Sequence, residues 1–173
     1  MLSMDNKATY ILRWNSAQSR LLTMSSFEST MRKFDFNLNY FFIGIMNWQN
    51  IHKGDIVYMI REGEGNTGIV MRGTIFTEPL TFQDLCTEKS RHRIIDIKMN
   101  QIMHPDKAVL PDSKKIEERW NHEEWKGLRY LIPVDKQTAE ELEQIFNNYL
   151  LENKEQFAVN KNNGIAITDF DIN

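Results

Sequence analysis

The chain has 173 residues, of which 41% are hydrophobic and 11% aromatic, and its formal net charge is -3. No linker rich in Pro, Gly or Ser divides it, so we expect one domain over residues 1–173. The charge argues against binding to duplex nucleic acid mainly through phosphates, and the lack of a long apolar run excludes a transmembrane helix.

The first residues and the cysteine content indicate a cellular compartment. The segment MLSMDNKAT has neither an apolar core nor a small-residue cleavage site. We therefore expect no signal peptide and a cytoplasmic address. The single cysteine, Cys86, cannot form an intrachain disulfide, and its expected role is that of a small buried hydrophobe.

The first predicted element is a strand over residues 8–14, ATYILRW. The residues SSFE at 25–28 fit a capping box, and the apolar residues after them recur at helical spacing, which predicts a short helix. A second strand is expected over residues 36–45, FNLNYFFIGI. Asn47 is expected to cap one helical turn.

The stretch from His52 to Ile75 predicts a β-hairpin with arms at about residues 56–61 and 67–76. Glycine and asparagine at 63–66 tolerate the positive φ that the turn requires. Five of the eight glycines fall within this stretch: Gly54, Gly63, Gly65, Gly68 and Gly73. A hairpin of this kind is typical of a small β-barrel.

The second half of the chain adds two strands and a helix. Residues 91–99 alternate between two faces, which predicts a half-buried strand, and residues 130–132 predict a final barrel strand. The capping box TAEE at 138–141 precedes apolar residues at helical spacing, which predicts a helix over about 138–152. A small hairpin is expected about Asn163 and Gly164.

Together these elements predict an α+β domain. Its core is a small, twisted, mixed β-barrel of five to six strands over about residues 8–133, flanked by helices. The helix at about 138–152 is expected to close the core with its apolar stripe. A parallel doubly wound sheet is disfavoured because the strands are short and numerous.

Two segments carry a family resemblance. The first is YILRWNS, and the second is NWQNIHKGDIVYMIREGEGNTGIVMRGTI, in which a turn of the form I-x-x-G-D leads into a strand whose hairpin partner carries G-I-x-x-x-G. The matching residues are Ile51, Gly54, Asp55, Gly68, Ile69 and Gly73. This pattern resembles the EVE branch of the PUA-like superfamily, relatives of the YTH and ASCH domains, over roughly residues 8–100.

The resemblance implies a PUA-like barrel with a pocket between the end of the first strand and the second strand. Members of the superfamily commonly bind RNA or a modified base flipped into that pocket, whose aromatic walls and hydrogen bonds offset the cost of unstacking. The suitable side chains in the corresponding segments are Trp14, Asn15, Tyr40, Phe42 and Trp48. Related modified-base readers often carry a tryptophan in the second strand, where this chain has YFFIG.

Four arginines are candidate phosphate contacts. Arg61 and Arg72 lie on the two arms of the predicted hairpin, and Arg91 and Arg93 belong to a short basic run. A solvated sheet face would explain the hairpin arginines without any ligand. Core packing is the corresponding alternative for the tryptophans, and a turn role is the alternative for Asn15.

Catalytic and metal-binding patterns are weak. The segment HEEWK at 122–126 lacks the second histidine of a zinc helix, and His104 and Asp106 have no third ligand at a recognised spacing. The glycines of the hairpin are flanked by strands and do not form a phosphate-binding loop. We therefore expect no metal, no cofactor and no enzymatic activity.

The leading hypothesis is a non-catalytic protein that binds a nucleobase, modified or not, in RNA or single-stranded DNA. Trp14 and an aromatic of the second strand would sandwich the base, and Asn15 would read its edge. One alternative is an enzyme or sensor for a free nucleotide-like small molecule, which needs a deeper pocket. Another is a protein interaction module using the last helix or the Trp120 and Trp125 segment. No membrane partner is expected, and the oligomeric state is left open.

Overall fold

The computed structural model describes residues 7–19, 22–34, 40–63, 68–81, 92–102, 127–152, 157–160 and 165–168. Its elements are β1 (Thr9–Asn15), α1 (Met24–Phe34), β2 (Tyr40–Ile45), β3 (Ile56–Glu62), β4 (Gly68–Ile75), β5 (Arg93–Ile102), β6 (Ile132–Val134), α2 (Lys136–Glu152), β7 (Phe157–Asn160) and β8 (Ile165–Thr168). Neither helix in these ranges is long and apolar enough to cross a membrane.

Six strands form a curled mixed sheet in the order β6-β1-β3-β4-β5-β2, with the hairpin of β7 and β8 attached to β5. β1 and β3 are parallel, and the other pairs among the six strands are antiparallel. The predicted hairpin is confirmed as β3 and β4, whose register runs from Ile56 opposite Thr74 to Arg61 opposite Gly68. The predicted α+β class, with a small twisted mixed barrel and flanking helices, is confirmed.

The two ends of the curl meet at the segment that follows β2. The Asn47 side chain donates to the carbonyl of Leu131 at 2.6 Å and accepts from the N–H of Leu131 at 3.0 Å. The Met46 N–H donates to the carbonyl of Arg129 at 2.8 Å. The expectation that Asn47 caps a helical turn is therefore wrong. Its side-chain amide bonds the backbone of Leu131, as a paired strand would, and so connects the end of β2 to the start of β6.

The inner face of the curled sheet holds the core. Alternation along β5 directs Ile95, Ile97 and Met99 inward, as predicted, and each is at most 2% exposed. Phe27 of α1 packs into this interior. The helix begins one residue earlier than its predicted capping box, because the Thr23 hydroxyl accepts the N–H of Ser26 at 3.1 Å.

The helix α2 covers the outer face of the sheet at β1 and β3. Phe146 meets the ring of Tyr58 edge-on at 5.7 Å, and Leu142 is also buried. The helix begins at Lys136 and not at 138, because Asp135 caps it. Its carboxylate accepts both the N–H and the hydroxyl of Thr138, at 2.8 and 3.0 Å. β1 and β3 are thus covered by the core on one face and by α2 on the other, which explains why their residues are almost all buried.

Candidate functional site

Trp14, the main predicted wall of the pocket, lies inside the core with 0% of its surface exposed. Its ring stacks on Phe27 with a centroid distance of 4.7 Å and an interplanar angle of 26°. Its indole N–H donates to the carbonyl of Leu22 at 2.8 Å. In this conformation neither the ring face nor the donor of Trp14 is offered to a ligand, which favours the packing role.

Asn15 follows Trp14 at the end of β1 and serves a turn. Its side-chain oxygen accepts the N–H of Ala17 at 3.2 Å, the geometry of an Asx turn. The amide also lies against Gly63, where a Cβ atom added to the glycine would come within 2.8 Å of it. Gly63 has a φ of 92°. The Asn15 amide therefore helps to position the start of the β3–β4 turn, and its reading of a base edge stays a prediction.

The two hairpin arginines point to opposite faces of the sheet. Arg72 lies opposite Tyr58, whereas Arg61 lies opposite Gly68 and beside Trp14, so the expected shared phosphate contact does not assemble. Arg61 is 7% exposed, and its Nε donates to the Ser16 hydroxyl at 3.3 Å. Burial limits what Arg61 can offer to an external anion.

Arg72 joins the sheet to α2. Its guanidinium donates to the side chains of Gln101 and Asn147, each at 2.8 Å, and lies over the Phe146 ring at 4.7 Å. Burial raises the pKa of the neighbouring Tyr58 phenol, and the charge of Arg72 opposes that effect. These contacts give Arg72 a structural role, and its phosphate contact stays a prediction.

Trp48 and Arg93 lie together at the end of the barrel where β2 and β5 pair. The Arg93 guanidinium sits over the Trp48 ring at 4.5 Å, and the ring also packs against the core. Several other predicted positions lie outside the described residues: Cys86, Arg91, His104, Asp106, Trp120, His122 and Trp125. Within the described ranges, no three His, Cys, Asp or Glu side chains group as metal ligands.

Tyr40 and Phe42 differ from the other predicted aromatics because they point away from the core. Along β2 the inward positions are Ile43 and Ile45, and the alternate positions Tyr40 and Phe42 are 40% and 61% exposed. They lie on the outer face of the sheet at the end that α2 does not cover. Tyr40 and Phe42 are thus the accessible aromatic rings of the predicted set.

Further apolar side chains extend this outer face across β5. Phe76, directly after β4, is 42% exposed, and its ring contacts that of Tyr40 at 4.9 Å. Leu80 is 43% exposed and bridges to Ile94 of β5. We call this surface the outer aromatic face, and it consists of Tyr40, Phe42, Phe76, Leu80 and Ile94.

A carboxylate lies in the middle of the outer aromatic face. Asp96 of β5 is opposite Phe42 of β2, and on its other side the Phe76 N–H donates to the Asp96 carbonyl at 2.8 Å. Side chains at directly opposed positions stand about 4.5–5.5 Å apart at Cβ, so aromatic rings flank the carboxyl group on both sides. The Tyr40–Phe76 ring contact crosses the same strand, and Asp96 is only 6% exposed.

One oxygen of the Asp96 carboxyl group lacks the hydrogen bond that a buried acceptor normally makes. This atom, Oδ1, is buried and has no hydrogen-bond partner among the residues that the structure describes. Burial raises the pKa of Asp96 above its ordinary value of 3.8. A buried polar atom without a partner costs free energy, so this position is unfavourable for folding by itself.

Two basic side chains, Lys98 and His92, border the outer aromatic face. Lys98 is two residues beyond Asp96 on the same side of β5, opposite Tyr40. The exposed His92 ring lies against Gly44, at the other end of the β2–β5 pair. The face therefore combines aromatic rings and a central acceptor with the ammonium group of Lys98 and the imidazole of His92 at its edge. The sequence-based prediction missed Phe76 and Asp96, whose signal is the strand register and not a motif.

A separate concavity of about 540 Å³ lies where α2 meets β1 and β3. Charged side chains of both signs line it, including Lys7, Lys136, Glu140 and Glu143, and Ile56 and Tyr58 also line it. Tyr58 is 1% exposed, so it does not present a free ring face to this concavity. The outer aromatic face is the better candidate for holding a planar ring.

Several solved structures are similar to the chain over most of its length, whereas no protein-family model and no curated protein matches it. A protein from Pseudomonas syringae has a TM-score of 0.51 at 14% identity, covering 80% of this chain and 99% of that one. Human THYN1, in complex with DNA containing 5-methylcytosine, has a TM-score of 0.50 at 10% identity, covering 80% and 97%. The YTH domain-containing protein mmi1, in complex with RNA, has a TM-score of 0.50 at 11% identity, covering 87% and 88%.

These similarities establish the architecture. The chain has a PUA-like fold related to that of EVE and YTH domains, as the sequence motif predicted. Similarity at this identity is a similarity of fold, and function has to be argued from the site.

Proposed function

We propose that this protein is a non-catalytic binding protein that holds a nucleobase of single-stranded RNA or DNA on its outer aromatic face. The observation that supports this proposal is the exposure of three neighbouring aromatic rings on one part of the sheet that α2 does not cover. These rings belong to Tyr40, Phe42 and Phe76. Aromatic rings exposed on a sheet are a general means of stacking unpaired bases.

Charge supports a single strand over a duplex. With a net charge of -3, the chain has no general basic excess with which to hold a duplex through its phosphates. Stacking depends less on net charge, and Lys98 supplies a local positive group beside the rings. Among the structures of similar fold, THYN1 was solved with methylated DNA and mmi1 with RNA, which is consistent with the proposal.

The proposal changes the sequence-based mechanism in one respect. The proposed stacking residues are Tyr40 and Phe42 of the predicted set, together with Phe76. Trp14 is no longer among them, because it is 0% exposed. A sandwich that includes Trp14 would require the Trp14–Phe27 stack and the hydrogen bond to Leu22 to be broken first.

The direct test is a fluorescence-anisotropy titration of short labelled single strands with the wild type and Phe42→Ala. Stacking on an aromatic side chain contributes about 1–3 kcal/mol per base, so we expect Phe42→Ala to lower the affinity about tenfold or more. Leu151→Ala is the matched control, because Leu151 is a large apolar side chain, 70% exposed, on α2. A strand with 5-methylcytosine and its unmodified counterpart would test reading of a modified base.

Three outcomes would overturn the proposal. Equal affinities for wild type and Phe42→Ala would remove the outer aromatic face from the site. Thermal stabilisation by free nucleotides but not by oligonucleotides would favour a small-molecule sensor. A dimer detected by light scattering and lost in Phe42→Ala, with no oligonucleotide binding, would make the face an interface between copies of this chain.

A further inference from the structure

We infer that Asp96 makes the outer aromatic face selective for bases that carry an exocyclic amine, namely cytosine, adenine and guanine, over uracil and thymine. This inference rests on the proposed function and specifies its ligand. Its basis is Asp96, a residue with only 6% of its surface exposed, which lies between aromatic rings and whose Oδ1 atom has no hydrogen-bond partner among the described residues.

No ion pair within the described part of the chain accounts for the burial of Asp96. Its carboxyl group has no ion pair among the described residues, in contrast to Glu62, which pairs with Arg13 at 2.8 Å. The adjacent rings desolvate the carboxyl group without supplying a donor. A ligand that brings its own N–H groups would satisfy the acceptor and recover the cost of its burial.

Base chemistry determines which ligands fit this acceptor. An ionised carboxylate only accepts hydrogen bonds, and the amino groups of cytosine and adenine are donors, as is the N1–H and amino edge of guanine. In uracil and thymine the N3–H lies between two carbonyl oxygens, which would be repelled by the carboxylate. Asp96 therefore favours the three amine-bearing bases.

Access to Asp96 follows from the exposure of the rings around it. Phe42 is 61% exposed and Tyr40 is 40% exposed, and exposed side chains change rotamer within picoseconds to nanoseconds. A base stacked on Phe42 would lie beside the Tyr40–Phe76 pair, with its edge directed at β5. Asp96 lies on that strand directly opposite Phe42. Stacking and edge recognition would thus occur on neighbouring strands.

The test compares labelled single strands of deoxycytidine, deoxyadenosine and thymidine in anisotropy titrations of wild type, Asp96→Asn and Asp96→Ala. We expect the wild type to bind the cytidine and adenosine strands roughly tenfold more tightly than the thymidine strand. In Asp96→Asn the ratio should fall to about twofold or less, because the amide offers both a donor and an acceptor. In Asp96→Ala it should fall similarly, because the acceptor is removed.

Glu140→Gln is the matched control, since it neutralises an exposed carboxylate on α2 and should leave the ratio unchanged. If all strands bind but the ratio survives in Asp96→Asn and Asp96→Ala, this inference is wrong and the proposed function stands. If no oligonucleotide binds the wild type, the proposed function is overturned, and this inference with it. If the wild type binds all strands equally, stacking is present without edge selection, and the inference is overturned.

Discussion

At the scale of single residues, burial decides what each aromatic side chain does. Trp14 and Phe27 stack inside the curled sheet, and the indole N–H of Trp14 is used within the chain. Phe42 has the same chemical capacity for stacking but leaves 61% of its surface in solvent. The difference arises from strand alternation, because Trp14 occupies an inward position of β1 and Phe42 an outward position of β2.

Replacing Trp14 by alanine tests this assignment. We expect Trp14→Ala to lower the free energy of unfolding by about 3–5 kcal/mol, because it removes a fully buried ring from a packed core. Phe42→Ala should change stability by only about 0.5 kcal/mol. Denaturant titration of both variants is the measurement. A stable Trp14→Ala protein that has lost oligonucleotide binding would instead restore Trp14 as a pocket wall.

At the scale of elements, the ends of α2 and of β2 depend on single polar side chains. Asp135 caps α2 through two hydrogen bonds to Thr138, and the helix then buries Leu142 and Phe146 against the sheet. Since the cap sets where the helix begins, it also sets which residues of the helix meet β3. Asp135 therefore influences both where α2 begins and which part of the sheet the helix covers.

The cap can be tested by Asp135→Ala. Loss of the two hydrogen bonds should destabilise the protein by about 0.5–2 kcal/mol, the usual range for a removed N-cap. Lys136→Ala is the control, because Lys136 is an exposed neighbour in the first turn of α2. Chemical denaturation monitored by circular dichroism would measure both. Equal stability of the two variants would contradict the capping role of Asp135.

At the scale of the whole molecule, the sheet curls until the residue after β2 contacts the segment before β6. Asn47 and Leu131, which are 84 residues apart in sequence, form two hydrogen bonds at this junction. The contact closes the core at one end of the barrel. It leaves the outer aromatic face on the convex side of β2 and β5, beyond the edge of α2.

Removing the junction should loosen that closure. We expect Asn47→Ala to cost about 1–3 kcal/mol of unfolding free energy, because both polar groups of Leu131 would lose their partner in a half-buried place. Gln49→Ala, an exposed change two residues away, should have little effect. Hydrogen exchange would report the closure directly, as faster exchange of the Leu131 amide. Unchanged exchange at Leu131 would refute this account of the closure.

Local patterns were sufficient for the elements and the class of fold. The glycine-rich stretch defines the β3–β4 hairpin because glycine adopts the positive φ that its turn requires, as at Gly63 with 92°. The alternation in β5 correctly separated Ile95, Ile97 and Met99 from Asp96. The two helices begin one or two residues before their predicted starts. The reason is that Thr23 and Asp135, and not the later capping boxes, bond the first N–H groups.

The sequence by itself determined most of the strands, both described helices and the α+β class, because turn residues and hydrophobic periodicity are encoded over a few neighbouring positions. Its motif resemblance indicated the PUA-like fold. Only the tertiary structure decided which aromatics face solvent and which acid lies among them. Phe42, Phe76 and Asp96 come together through the pairing of β5 with β2 and β4, and such register depends on contacts between residues far apart in the chain. The candidate site is therefore a property of the folded sheet.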